Sequence, residues 1–175
     1  MVTQLTMMAG DEARTGYPRA DRVPDQLAAA WVDFHASYAG LRDEEFMTPG
    51  VVGEWSVRDL IAHVTWWDQE SIEHLPITLV RGRLPRYSQV YGGIDAFNAM
   101  KTREKAGLTL DEVRAEAAAT HERLLAYLLS LDPVEWAANT RFRHRLKLDT
   151  WGHYPIHAAD IRRWRAEYLG DTDEH

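Results

Sequence analysis

Apolar side chains recur every three or four residues along four stretches of this chain. In the first, from about Pro24 to Leu41, Leu27, Trp31, Phe34, Tyr38 and Leu41 fall on one stripe, the spacing of a helix with one face on a core. Pro24 suits its opening turn, where the missing N–H has no intrahelical partner to lose. The loop "MTPGVVGEW" breaks the pattern with Pro49, Gly50 and Gly53. The second stretch opens at Ser56, an N-cap, with Asp59 three residues on beside the exposed donors of the first turn. Leu60, Val64, Trp67, Ser71 and Leu75 form its inward stripe, and Pro76 is expected to end it. An irregular segment follows to Gly93, then a short helix from Ile94 to about Lys105. "TLDE" opens the third long helix: Thr109 and Glu112 make a capping box. Leu110, Val113, Ala117, Leu124, Leu128 and Leu131 carry it to Asp132-Pro133. "NTRFRHRLKLD" alternates basic with apolar or histidine positions and predicts an extended arm or ordered loop. The fourth helix runs from about Gly152 to Leu169, with Gly170 as its stop.

These elements predict an all-α fold: a four-helix bundle with an extra short helix and long connecting loops. Two long connections leave room for a crossover topology. At 175 residues the chain is most simply one domain. The bundle is assigned to residues 22–169, a loose N-terminal leader to 1–21 and an acidic tail to 170–175. No apolar run approaches the roughly 18–20 residues of a membrane span. Nor do the first residues show a basic start followed by a hydrophobic segment, so the expected address is cytoplasmic. A net charge of −7 disfavours phosphate backbones, so nucleic acid and membrane are not expected partners. With no cysteine, disulfides, thiolate zinc sites and cysteine nucleophiles are excluded. Any thiol chemistry must borrow its sulfur from a small molecule.

Eight histidines remain as candidate chemistry, at 35, 63, 74, 121, 144, 153, 157 and 175. His153 and His157, in "WGHYPIHAAD", lie four apart and so only about 40° apart around a helix. If Gly152 caps that helix, Pro155 falls in the first turn and costs little. Both imidazoles then sit at the end of the bundle. They are either two idle histidines or two-thirds of a metal site. His63, at the edge of the second stripe beside Leu60 and Trp67, is either a hydrogen-bonded core histidine or a third ligand. His74 is too far along the same helix to share its ion. His35 and His121 read as core or surface, and His144 and His175 have no supporting pattern. The basic arm carries Arg141, Arg143 and Arg145. It reads as a solvated run on an acidic protein in preference to an attractor of anionic substrates.

Three segments resemble a known family. "GEWSVRDLIAHVTWWDQE" is similar to the second-helix motif of the DinB-like superfamily, and "DTWGHYPIHAADIRRW" to its last-helix motif. "GIDAFNAMKTREKAGLTLDEVRAEAAATHERLLAYL" resembles the middle of the ClbS/DfsB and mycothiol-dependent maleylpyruvate isomerase N-terminal branches. The resemblance covers about Pro24 to Tyr168. It implies a four-helix bundle in which one histidine of the second helix and two of the last hold a divalent metal. By position these are His63, His153 and His157. Three neutral imidazoles suit zinc or nickel and leave a position open for water or substrate. Glu70 and Asp160, close in helical angle to His63 and His153, are expected behind the ligand rings, or else as solvated carboxylates or partners of Lys105 or Arg162. Trp66 and Trp151 are expected as pocket walls with Tyr154 nearby, and Trp67 as core packing. Asn98 matches a polar position of the family's middle segment and either reaches the pocket or caps a helix or braces a loop.

The function so implied is a metal-dependent small-molecule enzyme of detoxification or stress response. It would act as a thiol-dependent S-transferase or isomerase, with a low-molecular-weight thiol as cosubstrate. The alternatives are a ClbS-like hydrolase of a reactive natural product, which the complete histidine triad disfavours, and a non-catalytic metal- or ligand-binding stress protein. A homodimer through a flat helix face is a further expectation.

Overall fold

Capping chemistry sets where two of the long helices begin. The computed structural model describes residues 23–138 and 140–172. In chain order its helices are α1 (Val23–Ser37), α2 (Asp43–Phe46), α3 (Val57–Leu79), α4 (Tyr87–Val90), α5 (Ile94–Lys105), α6 (Leu110–Ser130), α7 (Pro133–Ala138), α8 (Thr140–Asp149) and α9 (Tyr154–Thr172). Ser56 caps α3: its hydroxyl accepts from the Asp59 N–H, and the Asp59 carboxylate accepts from the Ser56 N–H at 3.0 Å. Thr109 and Glu112 make the same exchange at the start of α6. No strand forms among the described residues, where Val52 and Trp55 make an isolated bridge. None of the described helices is long and apolar enough to cross a membrane.

Long helices α1, α3, α6 and α9 form the bundle, and cross-helix contacts give its topology. Arg58, in the first turn of α3, donates to the carbonyls of Lys105 and Leu108 just ahead of α6, while Gln69 meets Glu116 further along. These two helices therefore run parallel, joined by the long connection that holds α4 and α5. Trp31 of α1 stacks on His121 of α6, whereas Arg114 at the other end of α6 reaches Asp43 beyond the end of α1. That pair is antiparallel. Arg162 and Arg165 of α9 bond to Asp33 and to the Ser37 carbonyl in step with α1, so α9 runs parallel to it. The result is the crossover arrangement. Leu27, Phe34, Leu60, Val64, Leu124 and Ile161 lie at its centre, fully buried.

Three elements differ from the pattern reading. Pro76 does not end α3, which continues to Leu79. The proline removes one N–H bond near the end of the helix, and burial of Leu75 and Thr78 around it holds the last turn. The arm at 140–149 is a helix, not an extended segment. Phe142, Leu146 and Asp149 are buried at i, i+4 and i+7, a helical face that the basic alternation hid. Finally, α9 begins at Tyr154 and runs through Gly170 to Thr172. The proposed leader lies outside the described residues, as do residues 173–175 of the proposed tail.

Candidate metal centre

Two local devices bring the histidines into register. On α3, the Ser56 cap starts the helix so that His63 falls one turn beyond Asp59, on the buried side. At the other face, α8 ends and the chain turns sharply. The Thr150 carbonyl accepts from the N–H groups of His153 at 2.7 Å and Tyr154 at 2.8 Å. Gly152 N–H bonds the Lys147 carbonyl at 2.9 Å, so close that a Cβ there would sit 2.7 Å from that oxygen. Pro155 is the second residue of α9, where its missing N–H costs nothing. Tyr154 then pins the first turn of α9 to α3, donating its hydroxyl to the wholly buried carboxylate of Asp68 at 2.6 Å and 2.7 Å.

The three rings converge. His153 Nε2 lies 3.0 Å from His63 Nε2 and 2.9 Å from His157 Nε2. An imidazole nitrogen has one in-plane site, so His153 Nε2 can hydrogen-bond one neighbour but not both. Two nitrogens bound to one ion at about 2.0–2.1 Å, with an angle of roughly 90–110°, lie about 2.9–3.4 Å apart. The observed separations fit that arrangement. Burial also disfavours the charged form of each ring. Burial first, then the neighbouring His153 and His157, pushes the His63 pKa down to about 2. Burial and His157 push His153 down to about 4. Burial lowers His157 too, opposed by Asp160. Neutral imidazole is the form that donates a lone pair to a cation. His63, His153 and His157 could therefore hold a metal ion.

Beside the triad opens a cleft of about 290 Å³, lined by His63, His153, Trp67, Tyr87, Asn98 and Arg145, with Ile94 and Leu148 at its rim. Arg145 is fixed from two sides: Nε donates to Asp149 at 2.6 Å and Nη2 to the Tyr87 hydroxyl at 3.1 Å. Asp149 also accepts from Ser71 at 2.9 Å, and Tyr87 donates to Glu70. Burial holds the Asp149 carboxyl up at about 6 despite the Arg145 charge.

The residues expected around the triad separate into two groups. Trp67 and Asn98 line the cleft. Asp160 stands 3.4 Å from His157 Nδ1, not behind His153, and also pairs with Arg163 at 2.6 Å. Trp66 is buried with its ring edge-on to His63 at 4.8 Å, behind the ligand. Trp151 is half-buried against the core, and Tyr154 is interior, on Asp68; neither lines the cleft. Glu70 binds Tyr87 and approaches His74 at 3.5 Å instead of His63. Lys105 and Arg162 pair elsewhere, with Glu116 and Asp33. Tyr87, Asp149 and Trp55, whose ring lies 4.8 Å from His63, escaped the pattern reading. The Arg145–Asp149 pair at i, i+4 was the available signal for the cleft's cation.

A model of the DinB superfamily matches residues 26–156. The matched span holds His63 and His153 and stops one residue short of His157. No curated protein and no solved structure matches the chain.

Proposed function

The chain belongs to the DinB superfamily, and from that premise we propose that it is a metal-dependent enzyme acting on small molecules. It is a thiol-dependent S-transferase or isomerase of detoxification or stress response, working in the cytoplasm as a homodimer. The observation that carries this reading is the convergence of three imidazole nitrogens, two of them on rings that line an aromatic cleft. By donor chemistry the resident ion is zinc or nickel. When bound, it supplies Lewis acidity that makes a thiol or water at its open position more acidic.

The chain's own residues supply the rest. His63, His153 and His157 bind the ion, and Asp160 orients the His157 ring through Nδ1. Trp67 and Tyr87, tilted 41° to each other, give aromatic walls for the electrophile. Asn98 offers a side-chain amide to a polar group of the cosubstrate. The absence of cysteine fits a reaction whose sulfur arrives with that cosubstrate.

The test is metal analysis of tag-free protein, then a thiol screen against a chlorinated aromatic electrophile. About one zinc or nickel per chain, lost in His63→Ala, is expected, with thiol consumption that disappears in the same variant. Metal content unchanged by His63→Ala refutes the site. Stoichiometric metal without turnover of any thiol refutes the enzyme and leaves a metal-binding protein.

A further inference from the structure

The cleft holds a cation that metal binding does not require. Arg145 is mostly buried, yet its guanidinium reaches the same cleft as the triad. Nε serves Asp149 and Nη2 serves Tyr87, while no hydrogen bond among the described residues uses Nη1. The guanidinium carbon lies 5.9 Å from the centre of the Trp67 ring, and that ring is 6.3 Å from His153 and 6.4 Å from His63. Trp67 thus neighbours both a fixed positive group and two of the three histidines. Asn98 lines the same space, and its side-chain oxygen is buried without a hydrogen-bond partner. Ile94 and Leu148, 55% and 58% exposed, leave an apolar rim.

We propose that this cleft binds a small organic acid, with its carboxylate on the Nη1 edge of Arg145 and its apolar body on Trp67. Its reactive end then lies beside the histidines. The inference deepens the enzyme reading and rests on it for that last placement alone. Asp149 and Tyr87 hold the guanidinium still, so an arriving carboxylate meets donors already oriented and little side-chain freedom is lost. Glu70 is engaged by Tyr87 and does not line the cleft, so Asp149 is the acid that lines it beside Arg145. The Trp67 and Tyr87 walls and the rim select a body of aromatic size: a cavity of about 150 Å³ accepts benzene, and this one is larger. A carboxylate is chosen over a phosphate because its single charge suits one guanidinium among apolar walls, where a doubly charged phosphate would be left part-unpaired.

Calorimetric titration of the zinc-loaded and zinc-free full chain with phenylacetate and with phenylacetamide tests this. The acid is expected to bind about tenfold or more tightly than the amide. Arg145→Gln should remove that preference while zinc content stays at the wild-type level. Equal binding of acid and amide to the wild type overturns the proposal without need of any variant. So does undiminished acid binding by a folded Arg145→Gln protein. Absence of zinc from the loaded protein would instead sink the metal reading. The acid-over-amide preference of the zinc-free chain would then still decide the role of Arg145.

Discussion

Replacing Tyr154 by phenylalanine removes one oxygen atom and leaves Asp68 with no hydrogen-bond donor among the described residues. Both side chains are wholly buried, and the phenol reaches both carboxylate oxygens. Burial already holds the Asp68 carboxyl far above its usual range, against the Tyr154 bond that lowers it. A buried hydrogen bond contributes about 0.5–1.5 kcal/mol, and the carboxyl left without a donor carries a desolvation penalty of about 1–3 kcal/mol. Tyr154→Phe should therefore destabilise the chain by about 2–3 kcal/mol, a fall in Tm of roughly 4–12 °C for a domain of this size. Converting both partners to apolar groups is different, since nothing polar is then left unpaired. The Asp68→Leu/Tyr154→Phe double variant should lie within about 1 kcal/mol of wild type, giving a coupling of about 2 kcal/mol or more. Urea unfolding followed by far-UV circular dichroism, with chelator present, reads all four corners of the cycle. A single-variant loss below about 0.5 kcal/mol, or losses that simply add in the double variant, would show that the pair does not anchor α9 to α3.

Three further outcomes are expected. His121, stacked on Trp31 at 4.1 Å, has its pKa pushed down to about 4 by burial first and by His35 second. The unfolded chain takes up that proton more readily, so the stability is complete above about pH 6.5 and is lost as pH falls toward about 4. Discounted for partial solvent access, the loss is about 2 kcal/mol, and His121→Phe should flatten the dependence of urea midpoint on pH in that window; an unchanged slope defeats the assignment. Arg81 closes α3 with φ at 56°, a conformation that suits glycine, so Arg81→Gly should stabilise by about 0.5–1 kcal/mol, and a lower Tm would contradict the strain argument. Gly152→Ala forces a Cβ against the Lys147 carbonyl, so it should destabilise by about 1–3 kcal/mol and weaken metal binding through His153; full metal content and unchanged Tm would show that the turn yields freely.

What could be read in advance follows from how local each signal is. Ser56 with Asp59, and Thr109 with Glu112, are complete within one helical turn, so these helix starts were legible. His153 and His157 share a turn of chain, and their pairing needed no tertiary knowledge. The extended reading of 140–149 failed because Arg141, Arg143, Arg145 and Lys147 at alternate positions mimic a strand, while the true signal was a spacing of three buried side chains. Pro76 misled because its cost is fixed and local, whereas burial of Leu75 and Thr78 depends on neighbours. Tyr87 is held to the cleft by Glu70 and Arg145, from two other helices. The bond between Tyr154 and Asp68 spans 86 positions. No periodicity encodes such contacts.

His63 and His153 stand 90 positions apart in the sequence. A flexible chain bringing two such points together gives up about 4 kcal/mol of closure entropy, and this fold has closed that loop before any ion arrives. An ion bound there ties the middle of the chain to its last helix, the part a disulfide plays in proteins that own cysteines. Its retention is then a property of the intact bundle and not of any short peptide segment. Free ion concentration, in turn, becomes a setting for how firmly the whole molecule resists unfolding.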